Sequence, residues 1–295
     1  MILVVGSTGL LGSAISLKLA REGKVVAGLV RDVTSAKART LRDGGVTLVS
    51  GNLTQPHTLE VALAQVETVI CTATAMLSSG PSNTLDDVDN RGIQFLITAA
   101  EKRGVRHFIF VSYDTAGGTY PLAKAKRGAE QRLQASKLSW TILQPAAFCE
   151  VWFSPVVGFD VAASRAQIYG EGDKPLHYIA LDDVAKAAVA CVNNASASSK
   201  IFRLGGATPA SQLDAVRLWE GAMGRRFTCQ HISLAELTAA QAVTTDPVML
   251  SVLGLSELAA KGIEVDHEWR TALRLNPLRV EDWITASMKK IGSSI

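Results

Sequence analysis

Three glycines spaced three apart, Gly6, Gly9 and Gly12, follow the apolar run Ile2–Val5 and open the amphipathic stretch Leu10–Arg21. Glycine spacing alone is a weak signal, and its weight here comes from a strand before it and a helix after it. In that setting Gly6 permits a tight turn, Gly9 lets backbone approach an anion, and Gly12 lets helix and strand pack closely. Ser7, Thr8, Leu10 and Leu11 complete the turn, whose free N–H groups at the helix start suit a pyrophosphate. The chemistry on offer is the binding of a dinucleotide.

Cofactor choice is read at the end of the second strand, Leu29-Val30-Arg31-Asp32. An acidic residue there binds the ribose hydroxyls of NAD, whereas an arginine fork clamps a 2′-phosphate. With Arg31 at the strand tip and Asp32 beginning the next turn, NADP(H) is the expected cofactor and NAD(H) the less favoured one. An Asp32 carboxylate facing the ribose would reverse that preference. Lys37 adds positive charge nearby.

These groups need a scaffold, and the first 150 residues supply the pattern for one. Ile2–Val5, Val25–Val30, Val46–Val49, Thr68–Cys71, His107–Val111 and Trp140–Leu143 are short and almost wholly apolar, as strands covered on both faces are. Between them Leu10–Arg21, Ser35–Asp43, His57–Ala64, Asp89–Arg103 and Leu122–Ser136 read as helices. The alternation predicts an α/β fold with a doubly wound parallel Rossmann sheet over residues 1–150. Residues 151–295 are expected to form a smaller, mostly helical substrate-side lobe. Strands near 177–180 and 200–204 would return to the sheet, and a helix over Asp182–Asn193 would be capped by Asp182 or Asp183.

Bulk properties remove several function classes. In 295 residues with 47% hydrophobic content a large core is available, and a net charge of +3 with scattered basic residues gives no footprint for nucleic acid. No apolar run is long enough to span a membrane, and Met1–Val5 is too short for a signal sequence, so a cytoplasmic address is expected. Cys71, Cys149, Cys191 and Cys229 lie far apart, with no paired or zinc-type spacing, and read as reduced thiols. His231 and His267 have no partners at ligand spacing, so no metal is expected. His57 reads as flanking a helix and His107 as opening a strand.

Beyond the turn, Ser50–Thr54, Ala99–Val105 leading into His107–Ser112, Lys126–Glu130, Ser139–Pro145, Gly170–Pro175 and Ile179–Ala185 follow in order. Together these motifs resemble the NmrA-like and isoflavone-reductase-like branch of the atypical short-chain dehydrogenases, over roughly residues 1–230. The resemblance implies that Asn52 and Leu53 lie near the adenine, with Asn52 where relatives usually carry Asp. It implies that Thr72, Ala73 and Thr74 border the nicotinamide-side ribose, that Ser112 lies beneath the nicotinamide, and that Pro145, Ala146 and Phe148 shape the floor. Gln144 stands where the family often has Arg.

Short-chain dehydrogenases use a Tyr-x-x-x-Lys pair in which the lysine holds the ribose and activates the phenol. Tyr120 and Lys124 match that spacing, but Pro121 would leave Tyr120 ahead of the helix. The resemblance aligns Lys126 instead, with Leu122 in the tyrosine position. As in isoflavone reductases, it implies that Lys126 contacts the ribose and serves as general acid/base, and Tyr113 is then a candidate for the missing phenol. His177 and Tyr178 would border a pocket or serve structure, and Phe148, Trp152 and Phe153 would line an aromatic pocket or join the core. The resemblance implies an NADPH-dependent reductase of a small apolar or aromatic acceptor such as a quinone or enone. Its alternative is a non-catalytic NADP(H) sensor or assembly factor that acts on a protein partner. A nucleotide-sugar epimerase, which needs the full Tyr-x-x-x-Lys pair, ranks below both.

Overall fold

The computed structural model describes residues 1–76 and 83–292. Its elements run β1 (Ile2–Val5), α1 (Leu10–Arg21), β2 (Val26–Val30), α2 (Ala36–Asp43), β3 (Thr47–Ser50), α3 (Pro56–Ala62), β4 (Thr68–Cys71), a π-helical stretch Asp86–Gly92 continuing into α4 (Ile93–Lys102), β5 (His107–Val111), α5 (Pro121–Gln134) and β6 (Ser139–Pro145). Then come α6 (Cys149–Trp152), β7 (Phe159–Asp160), β8 (Arg165–Tyr169), α7 (Leu181–Ala190), β9 (Lys200–Leu204), α8 (Gln212–Met223), β10 (Thr228–Ile232), α9 (Leu234–Val243), α10 (Pro247–Lys261), α11 (Glu268–Leu273) and α12 (Val280–Gly292). Two compact units form: Met1–Gln144 with Val184–Phe202, and Pro145–Asp183 with the chain from Arg203 onward.

Seven strands lie in the order β3-β2-β1-β4-β5-β6-β9. β1 pairs in parallel with both β2 and β4, and β5 with β4 and β6. Every residue of β1, β2, β4 and β5 is buried, because helices cover both faces and leave no place for an outward polar row. This is the expected Rossmann-like α/β fold. Chain order reverses between β1 and β4, so the crevice beyond their carboxyl ends is where such sheets bind ligands.

On β5, His107 Nε2 lies 2.9 Å from the Thr141 hydroxyl, which itself donates to the Ala197 carbonyl at 2.6 Å. Burial holds the imidazole below its ordinary value of 6.5. A histidine depressed in the folded state contributes stability that is present above the unfolded pKa and is lost as pH falls through the folded one. Urea unfolding between about pH 8 and pH 5 should therefore show stability declining below about pH 6.5, with a shallower slope in His107→Asn. An identical slope in the variant would remove His107 from the acid sensitivity.

The second unit departs from the sequence reading in three ways. His177–Ala180 is not a strand: His177 sits at φ +50°, which breaks extended pairing, and only isolated bridges form at Pro175 and Ile179. α7 begins at Leu181, one residue earlier than expected, which places Asp182 and Asp183 in its first turn. The buried Asp183 carboxylate accepts from Leu278 N at 2.8 Å. A small sheet, β10-β8-β7, forms where loop and helix were expected. The stretch 207–295 is otherwise largely helical as far as Gly292, and residues 293–295 lie outside the described residues.

Phe153 lies against Phe159, Tyr178, Trp219 and Trp283 at ring separations of 4.7–5.9 Å. It therefore packs in an aromatic core, and Tyr178 is buried with it. Trp152 packs edge-on to Tyr169 at 6.4 Å. Among the described residues no helix is long and apolar enough to cross a membrane, and no group of three or more His, Cys, Asp or Glu is placed to hold a metal. All four cysteines are free thiols, and burial pushes Cys71 up to about 11.

Candidate functional site

The glycine turn is built by close contact. Gly6 has φ +83°, and a Cβ there would lie 2.8 Å from Thr72 Oγ1 and 2.9 Å from Ala73 N. Gly9 N–H donates to Gly6 O at 2.9 Å, and Gly9 precedes α1 in extended conformation with no side-chain cap. The first-turn N–H groups of α1, from Leu10, Leu11 and Gly12, consequently lack both a preceding-turn carbonyl and a capping side chain. Ser7 takes no part through its hydroxyl, which is buried and donates to Leu29 O at 2.9 Å, locking the turn to β2. Thr8 is half-buried and Leu10 is exposed.

Arg31 stands exposed at the tip of β2 with no hydrogen bond or ion pair among the described residues. Asp32 is turned away into its own loop, where Oδ1 accepts from Thr34 N at 2.8 Å and Thr34 Oγ1 at 2.5 Å. Those bonds lower its pKa, so the carboxylate is charged and committed. Arg39 and Arg42 of α2 donate to the carbonyls of Thr34 and Val33, bringing two further cations to this loop. Asn52 closes a similar turn, with Oδ1 accepting from Thr54 N at 3.1 Å, and Leu53 is buried beside it.

At the ends of β4 and β5 the chain gathers a polar cluster. Thr72 N and Oγ1 both donate to Val5 O, tying the ends of β1 and β4 together. Thr74 is exposed, and its Oγ1 accepts from Met76 N. Lys126 reaches this place from α5: it is 5% exposed, with Nζ donating to Ala73 O at 3.3 Å and lying 5.1 Å from the centre of the Phe110 ring. Its counter-charge is Asp89, fully buried on the π-helical stretch, with Oδ1 3.2 Å from Nζ and Oδ2 accepting from Ala75 N at 2.8 Å. Lys124 is exposed on the other face of α5. Tyr120 precedes α5 with Pro121 in the first turn, and Leu122 is buried one turn before Lys126, as Pro121 implied.

Arg127 donates to Thr115 Oγ1 and Gly118 O, which holds the loop after β5 that carries Tyr113. Burial, with the neighbouring Tyr120 phenol next and then Asp89, raises the Tyr113 pKa far above its ordinary value. Tyr113 is thus a neutral O–H at physiological pH, the opposite of a lysine-activated phenolate. Gln144 Nε2 donates to the buried Glu130 carboxylate at 3.0 Å, so the position that often carries Arg keeps a neutral tie to α5. Pro145 and Phe148 belong to the second unit, where Phe148 precedes α6 and bridges to Ile179.

Two observations fit a dinucleotide. The turn is a cradle that a Cβ would fill at Gly6 or Gly12. Ser112 Oγ and Gln144 Oε1 are buried at the ends of β5 and β6 without hydrogen-bond partners among the described residues. Buried polar atoms are rarely left unpaired unless a ligand or water completes them.

Asp89 was missed in the sequence, although a signal was present. It stands four residues before Ile93 and seven and eight before Leu96 and Ile97, all fully buried, so it is an acid on an apolar stripe. The expected helix start at Asp89 hid it, since the helical turn begins earlier, at Asp86, with π geometry.

Fold, turn and crevice define a dinucleotide-binding protein of the Rossmann type. A family model described as NAD(P)H-binding matches residues 6–195. Photosystem II assembly factor Ycf39 from Synechocystis sp. is 31% identical over 243 residues, covering 80% of this chain and 72% of the relative. The NAD(P)H azoreductase of Xenophilus azovorans is 31% identical over 253 residues, covering 83% and 80%. Among solved structures, the NADPH-dependent quinone oxidoreductase QOR2 of Escherichia coli, in complex with NADPH, superposes with TM-score 0.76 at 21% identity over 99% of each chain. The chain belongs to the NAD(P)H-binding family, and its likeness to isoflavone-reductase-like and NmrA-like proteins holds.

Proposed function

We propose that this chain is an NADPH-dependent oxidoreductase that reduces a small apolar or aromatic acceptor such as a quinone or enone. The observation that carries the reading is Lys126, a cation buried beside the dinucleotide turn at the end of β4 and paired with Asp89. Bound NADPH would supply the hydride. In this reading the turn Gly6–Gly12 holds the pyrophosphate, and Asn52 and Leu53 border the adenine. Thr72, Ala73, Thr74 and Lys126 bind the second ribose, while Ser112 borders the nicotinamide. Tyr113, kept protonated by burial, offers its O–H to the acceptor oxygen.

Preference for NADP over NAD rests on Arg31 being uncommitted while Asp32 is spent on Thr34. A charge-assisted clamp of this kind is worth about 1.5–3 kcal/mol, or roughly 10–100-fold in affinity. The testing experiment is oxidation of NADPH and NADH against a panel of quinones, enones and azo dyes, with Arg31→Ala in parallel. Turnover with NADPH that weakens in the variant, NADH being little changed, supports the reading. Equal use of both cofactors by the parent chain would overturn the preference.

A second reading is favoured by Leu122, buried where short-chain dehydrogenases place the tyrosine, and by the likeness to Ycf39. The chain would then bind NADP(H) and pass its redox state to a protein partner. Tight NADPH binding with no turnover of any acceptor in the panel selects it.

A further inference from the structure

We infer that Asp89 is the positioning residue for Lys126, holding the ammonium at the end of β4 in the place where it serves the dinucleotide. This rests on the cofactor reading above. Lys126 and Asp89 are both buried, and their contact Nζ–Oδ1 is 3.2 Å. A lysine can swing through several rotamers, and nothing on its own helix fixes it here, since it stands between Leu122 and Glu130 on α5, with Glu130 bonded to Gln144.

Asp89, in contrast, is fixed twice. Its Oδ2 is bound by Ala75 N at 2.8 Å, and its backbone lies in the π-helical stretch Asp86–Gly92. The extra residue of a π turn re-aims a side chain that an α-helix would point elsewhere, and such turns recur at functional sites. Ala73 O then receives the ammonium from the other side at 3.3 Å. The lysine is therefore clamped between the strand end and the carboxylate. Among the described residues, the Cys71 thiol, the Tyr113 phenol and the Arg127 guanidinium are other ionisable groups around the pair, and only Asp89 supplies an opposite charge in contact.

The test is a double-mutant cycle of Asp89→Asn and Lys126→Met, read twice on the full chain. NADPH affinity by calorimetry should fall at least tenfold on Asp89→Asn when Lys126 is present, and less than twofold when the same change is made in the Lys126→Met background. Thermal stability, which needs no cofactor, should show the double variant melting higher than the sum of the two single losses predicts. If Asp89→Asn alone cannot be purified but the double variant can, that is the same coupling in stronger form. Additive melting losses would show that the two side chains do not act as a pair and would overturn the proposal, whether or not the chain binds NADPH. Coupled melting with additive affinity losses would leave Asp89 a structural counter-ion only and would also overturn it. A parent chain that binds no dinucleotide sinks the cofactor reading instead, and the melting cycle still decides whether Asp89 holds Lys126.

Discussion

Gly12→Ala is expected to abolish measurable NADPH binding and to lower stability by about 3 kcal/mol, the upper range for forced overpacking. A Cβ at position 12 would lie 2.2 Å from Gly6 O and 2.7 Å from Gly6 C, both backbone atoms. Gly6 cannot retreat, because Thr72 and Ala73 lie close behind it and its own φ is +83°. Ser7 is bolted to Leu29 O in addition, so relief comes only by opening the turn that receives the pyrophosphate. Gly128→Ala is the control: it lies within α5, a Cβ there meets nothing within 4 Å, and a gain of about 0.5–1 kcal/mol is expected. Urea unfolding and NADPH fluorescence titration read both variants. Affinity within threefold of the parent in Gly12→Ala would remove the turn from cofactor binding.

Lys126→Ala carries the other large effect. It leaves Asp89 with no exposure and no opposite charge, and breaking a buried pair in this way costs about 3–5 kcal/mol. NADPH oxidation, if the chain turns over, should fall to background, while NADPH affinity should weaken but stay measurable. Lys124→Ala separates this from a general loss of charge on α5. Lys124 is exposed, and its removal should change stability by less than about 0.5 kcal/mol. Matching melting curves for the two variants would show that burial of Lys126 has no energetic meaning.

Much of the Rossmann unit was legible because its signals are local. A strand buried on both faces must be apolar throughout, and β1, β4 and β5 end where the apolar runs end. The turn was legible for the same reason, since tight geometry restricts residue type at Gly6 and Gly12. Pro121 settled the place of Tyr120 before any contact was known, because proline belongs in a first helical turn. The second unit was less readable. β10, with its largely exposed residues, lacks a buried apolar row, and His177 adopts a backbone conformation that its residue type does not announce.

What the sequence determined by itself was the dinucleotide turn, the order of strands and helices around it, and an arginine at the end of β2. These depend on backbone geometry and on period, and both are written in neighbouring residues. What only the tertiary structure decided was which charges meet. Asp89 and Lys126 lie far apart in the chain, and Asp32 stands next to Arg31, yet the first pair is in contact while Asp32 turns to Thr34. Charge partnership is fixed by burial and by the direction a π turn or a loop gives a side chain, and spacing along a sequence contains neither.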